Sequence, residues 1–376
     1  MVASLNAEDI MKNLLLGFYS GGGLGKYQYE LIEVLNKYEI HVDILTSKEP
    51  SDEFKEFARA HECKIFYISN LKNPFRHYKD ICNILSKKNY QIAYFNMSEA
   101  FNGIGILAAH NMKVERIIAH SHSSGCSAAN PVVRKFKILI HYIARSLFIP
   151  KATEYFACSE KAAKWMFPAK LMKNHEVKYI HNAVDVSKFK FDLATRRKLR
   201  KKYGIENCVV AGFVGGIVYV KNVSFIVDIA DKMKDESEFV FFLAGSGNQE
   251  EQIKHKISDL NLENKVIMLG ERSDVDQLMS AMDVLLLPSY FEGFPFVAVE
   301  AQASGLPVLL SDMVTRKVKL SDQCEFLPLD SEETWVKAIK KYKNSIRSAG
   351  NTDKIAELFS MPYFEKQIYK EVVTEK

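Results

Sequence analysis

The chain lacks several features that would place it in large protein classes. Its six cysteines, Cys63, Cys82, Cys126, Cys158, Cys208 and Cys324, are scattered without a Cys-x-x-Cys pair. That spacing argues against structural zinc and fits a reducing compartment. No apolar run approaches the length needed to cross a bilayer. No N-terminal stretch combines a charged start, an apolar core and a cleavage site, since Met11–Tyr19 is short and interrupted by Gly17, so no secretory signal is expected. Neither glycine-rich loop has Gly-x-Gly-x-x-Gly or P-loop spacing, which leaves a nicotinamide or ATP site unsupported. The charge excess is small too. The net +5 is uneven, with 24 Lys+Arg against 18 Asp+Glu in residues 1–185 and 27 against 28 in 186–376. Such a bias is too weak for a dedicated nucleic-acid binder. It suits a surface that meets anionic lipid or a phosphate-bearing acceptor, although an incidental bias accounts for it equally well.

What is present is the raw material of two cores. At 376 residues, 47% apolar and 26% charged, the chain exceeds what one core organises and has an ordinary globular composition. Apolar strand-like runs at Asn13–Tyr19, His41–Thr46, Lys64–Ile68, Gln91–Asn96, Arg116–Ala119 and Glu154–Ala157 alternate with helical stretches. That repeat predicts a parallel sheet covered on both faces. A second series follows at Val209–Gly215, Phe239–Ala244, Val266–Leu269, Val284–Leu287 and, last, Val308–Leu310. Trp335–Ser345 and Pro362–Glu375 read as closing amphipathic helices.

Chemistry concentrates where these strands end. The first strand opens into Ser20-Gly21-Gly22-Gly23-Leu24-Gly25-Lys26, where glycine amides and a lysine at a helix start suit a phosphate. Gly215-Gly216 with Lys221-Asn222 repeats that arrangement in the second half. His120-Ser121-His122-Ser123-Ser124-Gly125 is a polar cluster at a strand end, with His120 the stronger candidate for a functional group. The most informative stretch is Ser289–Pro307: a turn interrupted by Gly293 and Pro295, then a helix of good formers closed by Gly305 and Pro307. Glu292 lies in the turn and Glu300 in the helix, so both carboxylates are expected near the carboxyl end of a strand, where open α/β sheets bind ligands. Asp274-x-Asp276 matches a short metal-binding pattern. Its place at a helix start makes Asp274 an N-cap and Asp276 a first-turn acid, which needs no metal. Pro131 to about Phe148 reads as a long helix in which Arg134, Lys135, Lys137 and Arg145 interrupt an apolar run. The composition is that of membrane-surface helices, but the apolar positions wrap widely round it, so an ordinary packed helix is expected.

Taken in order, these elements resemble the retaining glycosyltransferases of family 4, with the GT-B fold, of bacterial capsule and exopolysaccharide assembly. The likeness runs from Gly21–Gly23 through His120, Cys158-Ser159, Trp165-Met166-Phe167, Asn182–Asp185 and Gly215–Asn222 to the E-x7-E pair Glu292 and Glu300. It implies two Rossmann-like domains facing a central cleft: 1–186 for the acceptor and 187–361 for the donor, with a terminal helix at about 362–376 packing back on the first. It also implies a nucleotide-diphosphate sugar, UDP being the expected nucleotide, and a lipid-linked or oligosaccharide acceptor. The enzyme would be cytoplasmic, peripheral on the inner membrane face, and would need neither metal nor cofactor.

The resemblance assigns roles. Glu300 would hold the ribose; Glu292 with the amides of Gly293, Phe294, Pro295 and Phe296 would hold the sugar; Glu271, Arg272 and Ser273 would line the base. His120 would sit beside the transferred sugar. Lys221 with the amides of Gly22 and Gly23 would neutralise the leaving diphosphate beside the Gly215-Gly216 loop. One departure stands out, because the family commonly carries Arg where this chain has Gly216. Two other classes stay open on sequence grounds: a nucleotide-sugar or glycan-binding subunit whose catalytic power has decayed, and a UDP-sugar epimerase, against which the E-x7-E pair speaks.

Overall fold

The computed structural model describes residues 12–19, 22–343, 347 and 352–374. Ser20 and Gly21 of the first glycine loop, and the ends of the helices expected at 335–345 and 362–375, therefore lie outside the described residues. The chain forms two compact units. One holds the residues up to Cys126, Lys135–Asn182 and those from Phe364 on; the other holds Ser127–Arg134 and Ala183–Tyr363.

The first unit is built on seven parallel strands: β1 (Asn13–Gly17), β2 (His41–Thr46), β3 (Ile65–Tyr67), β4 (Ile92–Met97), β5 (Arg116–Ser121), β6 (Glu154–Ala157) and β7 (Val177–Tyr179). Their order is β3-β2-β1-β4-β5-β6-β7. Leu14–Leu16, Ala93–Phe95 and Ile118–Ala119 are fully buried, because helices cover both faces and every side chain of a central strand then points into a core. Local signals set the helix starts. Ser51, Asn73 and Ser159 each accept a backbone N–H at an N-cap, and Pro74 follows Asn73 at the first helical position. Strand order reverses between β1 and β4, so the loops after these two strands diverge and leave a crevice at their carboxyl ends.

The second unit repeats the plan with six parallel strands: β8 (Val209–Val214), β9 (Phe239–Ala244), β10 (Val266–Gly270), β11 (Val284–Leu287), β12 (Val308–Ser311) and β13 (Cys324–Leu327). The order is β10-β9-β8-β11-β12-β13, with the reversal between β8 and β11. The sheet does not end at Val308–Leu310 as expected. β13 pairs with β12 from Val308↔Cys324 to Ser311↔Leu327. Glu325 breaks its apolar run and most of it is only half-buried, as befits an edge strand, so no hydrophobic run announces it. After it come the helices Glu332–Lys340, Thr352–Phe359 and Met361–Ile368, of which the middle one was not anticipated.

The helix Pro131–Leu147 departs most from expectation. It does not pack through its large apolar residues: Val132, Val133, Phe136, Leu139, Ile140, Tyr142, Ile143 and Leu147 are exposed, and only His141 and Ala144 are fully covered. The reason is polar. His141 stacks on Trp165 at 3.8 Å, accepts the Ala100 N–H at Nδ1 and donates from Nε2 to the Trp165 carbonyl, while Arg145 donates to the Phe167 carbonyl. These buried bonds set which face turns inward. Among the described residues no helix is long and apolar enough to cross a membrane.

Candidate active site

In the second unit the loops after β8 and β11 meet at the strand-order reversal. The β8 loop is held by its neighbour after β9: Gly215 N donates to Ala244 O at 3.0 Å, Ile217 N to Ser246 O at 2.8 Å and Gln249 N to Ile217 O at 3.0 Å. Gly245 and Gly247 are obligatory for this approach, since a Cβ on either would overlap the carbonyl of Gly215 or Ile217. The loop then closes in a 3-10 turn, Tyr219–Lys221, and Asn222 enters the left-handed region at φ +53° before the helix Val223–Lys232 begins. Tyr290 N donates to Val220 O at 2.9 Å and ties the β11 loop to the β8 loop.

That tie brings Lys221 onto Glu292. Lys221 Nζ lies 2.6 Å from Glu292 Oε1, and Ser289 Oγ donates to the same oxygen at 2.7 Å. Glu292 is only 8% exposed, so its charge is held by the ammonium and the hydroxyl more than by water. The two residues predicted for diphosphate and for sugar thus form one charge-compensated unit. Ser289 was given no role from the sequence; a hydroxyl three residues before the glutamate, just past a strand-ending proline, was the available signal.

The remaining donor-site candidates divide. Glu300 is half-buried in the helix Phe296–Ala303, which closes through Gly305 at φ +66°. Of the amides expected from Gly293 to Phe296, Pro295 has none and Phe296 N is committed to Phe294 O at 3.1 Å. The Phe294 ring is buried against Phe296 and Phe359 and belongs to the packing of the loop. Beyond β10, Ser246 Oγ approaches Glu271 Oε2 at 3.5 Å and Ser273 is exposed. Arg272 grips Asp274 with two bonds of 2.8 and 2.6 Å, which hold that carboxyl below its ordinary range. Asp274 stands at the N-cap position as expected but makes no side-chain cap bond, because the Arg272 fork outcompetes a single amide. No group of three or more His, Cys, Asp or Glu side chains is placed to hold a metal among the described residues. At Gly216 a Cβ would meet nothing closer than 3.8 Å, so glycine is not forced there by space.

In the first unit the helix Gly22–Lys37 starts inside the glycine loop, so Gly22 and Gly23 form its first turn. Gly22 has φ +66°, a conformation that favours glycine, and both residues are exposed. Asn182 Nδ2 donates to Gly23 O at 3.0 Å, joining two of the sequence signals. His120 is the penultimate residue of β5 and is fully buried; its Nδ1 lies 2.8 Å from Tyr94 OH, which is 2.6 Å from Tyr27 OH. The His122 ring lies tilted against it, with centroids 3.9 Å apart, and bonds Asn96 Oδ1 at 2.8 Å. Burial holds both imidazoles well below their usual titration range, His122 down to about 3, so both are neutral at ordinary pH.

Two family models match this chain side by side: Glycosyltransferase Family 4 over residues 21–188 and Glycosyl transferases group 1 over 195–358. The chain belongs to the family 4 glycosyltransferases. EpsF of Bacillus subtilis is 27% identical over 302 residues, covering 79% of this glycosyltransferase and 78% of EpsF. The N-acetylgalactosamine-N,N'-diacetylbacillosaminyl-diphospho-undecaprenol 4-alpha-N-acetylgalactosaminyltransferase of Campylobacter jejuni is 23% identical, covering 88% and 90% of the two chains. Among solved structures, HepE of Anabaena in complex with UDP-glucose superposes with a TM-score of 0.76 at 19% identity over 96% of this chain and 99% of that one. The glycosyltransferase thus has the GT-B fold, two Rossmann-like parallel-sheet units.

Proposed function

We propose that this glycosyltransferase moves a sugar from UDP to a lipid-linked saccharide in cell-surface polysaccharide synthesis, with retention of configuration and without a metal. The observation that carries the reading is the Lys221–Glu292–Ser289 cluster at the strand-order reversal of the second sheet. It supplies a fixed ammonium where diphosphate charge would develop and a carboxylate that accepts from sugar hydroxyls. Glu300 takes the ribose and the Glu271–Ser273 segment the base. In the chemical step the bond from the anomeric carbon to the diphosphate oxygen breaks, the acceptor oxygen bonds to that carbon on the same face, and its proton passes to the leaving phosphate oxygen. Lys221 stabilises the departing charge throughout, which is where preorganised electrostatics contribute most. Neither glutamate transfers a proton.

The acceptor side rests on relatives. One Escherichia coli relative, 26% identical over 66% of this chain and 64% of its own length, is a UDP-Gal:alpha-D-GlcNAc-diphosphoundecaprenol alpha-1,3-galactosyltransferase. A lipid-linked acceptor requires a cytoplasmic enzyme to approach a membrane. The exposed stripe Phe136, Leu139, Ile143 and Leu147, with Lys135 exposed beside it, is an apolar surface with a basic edge suited to an anionic leaflet.

The test is a panel of nucleotide sugars scored for thermal shift and slow hydrolysis, with and without EDTA, since a bound donor raises apparent stability by mass action. Stabilisation and turnover by a UDP-sugar, unchanged by EDTA, is the expected result. Binding of UDP with no turnover of any UDP-sugar would favour a binding subunit; epimerisation of UDP-GlcNAc without acceptor would favour the epimerase.

A further inference from the structure

Tyr27, Tyr94 and His120 make a closed chain of hydrogen bonds inside the first unit. Tyr27 comes from the helix Gly22–Lys37, Tyr94 from β4 and His120 from β5, and all three are fully buried. Among the described residues, Tyr27 OH bonds Tyr94 alone, Tyr94 OH bonds Tyr27 and His120 Nδ1, and His120 Nε2 is buried with no partner. Phe156 and Tyr27 meet the imidazole edge-on, and Phe364 lies against Tyr27 at 5.7 Å, so the chain runs among aromatic rings.

The proton count fixes the direction of these bonds. A neutral His120 with two tyrosines brings three protons, and two contacts exist to receive them. If Nδ1–H donated to Tyr94 and Tyr94 to Tyr27, the Tyr27 proton would point into the aromatic core and the Nε2 lone pair would also be unmet. If instead Tyr27 donates to Tyr94 and Tyr94 to Nδ1, every group inside the core is satisfied and only one, the Nε2 proton, is left over. Each buried unmet group costs about 1–3 kcal/mol, so the second direction prevails. Burial and the neighbouring His122 and His181 disfavour the charged imidazolium, in which both nitrogens would donate.

We propose that Tyr94, itself accepting from Tyr27, is a positioning residue that holds His120 in the tautomer with its proton on Nε2, making that N–H a fixed donor to a substrate hydroxyl. The substrate contact rests on the function proposed above, whereas the tautomer does not. An oxygen ligand at Nε2 satisfies the one group the core leaves unmet, and a bare Nε2 would repel it. Tyr27 lies four residues after Gly23 on the same helix.

The experiment is long-range proton–nitrogen NMR on the full chain with labelled histidine, assigned by His120→Gln, with turnover of the UDP-sugar chosen from the panel measured in parallel. The expected wild-type spectrum shows His120 protonated at Nε2 only. Tyr94→Phe removes the donor to Nδ1 and should give a mixture of tautomers and lower kcat about tenfold with little change in KM. Tyr27→Phe, in which Tyr94 still donates to Nδ1, should keep the wild-type tautomer and most of kcat; the melting temperature confirms the fold of both. A wild-type proton on Nδ1, or a Tyr94→Phe variant that keeps both the wild-type tautomer and kcat, overturns the proposal. If no UDP-sugar turns over, the spectrum still decides the tautomer, and the failure belongs to the assigned function.

Discussion

At the scale of single residues, the Lys221–Glu292 pair decides how any mutation of the site is to be read. Lys221→Met leaves a carboxylate that is 8% exposed and has lost the ammonium 2.6 Å from its Oε1. Breaking such a pair costs about 2–4 kcal/mol, below the value for a fully buried pair because a fifth of the lysine side chain is exposed. Lost turnover in that variant therefore mixes instability with lost phosphate binding. The double variant Lys221→Met/Glu292→Gln removes both charges, and it should recover most of the stability in urea unfolding but none of the turnover. Recovery of turnover in the double variant would show that the diphosphate is held elsewhere. Gly216 offers the opposite experiment. The space at its Cβ and its ordinary φ admit a side chain, so Gly216→Arg should fold normally. One added charge-assisted bond to a phosphate, about 1.5 kcal/mol, should raise kcat/KM roughly tenfold. An unchanged kcat/KM would mean that another basic group already fills that place.

At the scale of elements, the helix Pro131–Leu147 shows how few bonds orient a long segment. Its composition, apolar with interspersed lysine and arginine, was legible, but its facing was not. A stack on Trp165 and three bonds from His141 and Arg145 outweigh the tendency of the aliphatic positions to turn inward. Changing Phe136, Leu139 and Ile143 together to serine removes three exposed side chains, so stability should move by no more than about 1.5 kcal/mol. Co-sedimentation with vesicles containing anionic lipid should fall at least about tenfold, since each such side chain contributes up to about 1.5–3 kcal/mol when it leaves water. Retained binding would remove this face from the membrane reading.

At the scale of the whole molecule, the last residues complete the first unit. Phe364, Ile368 and Val372 recur at four-residue spacing and are buried in it. Arg116 donates to the Val372 and Glu371 carbonyls at 2.6 and 2.8 Å, Lys178 pairs with Glu371, and Glu365 accepts from Lys37 and Tyr38. Truncation after Tyr363 exposes three core side chains, a loss of roughly 5–9 kcal/mol as an upper bound. That is comparable to a domain's whole stability, so the truncated chain should lose the cooperative unfolding of its first unit in a thermal scan. A retained two-step melt would show that this segment is dispensable.

Sequence alone determined what local chemistry can encode. Strands buried on both faces wrote continuous apolar runs, and helix starts wrote Ser and Asn caps. The turn after β11 wrote its glycine, proline and two glutamates. These signals carry the parallel α/β class, most of the elements in their order, and Lys221, Glu292 and Glu300 of the candidate site, but not Ser289. Tertiary structure alone decided what depends on partners far apart in the chain. Edge strand β13 has no complete apolar run because one side of it lacks a neighbour. The facing of Pro131–Leu147 is set by Trp165 and Phe167, and the environment of His120 by Tyr27 and Tyr94, none of them a sequence neighbour. Lys221 and Glu292 stand 71 residues apart and become one ion pair only because the sheet reverses its strand order between β8 and β11. A residue's type sets which bonds it can make, but pairing over such distances is fixed by topology.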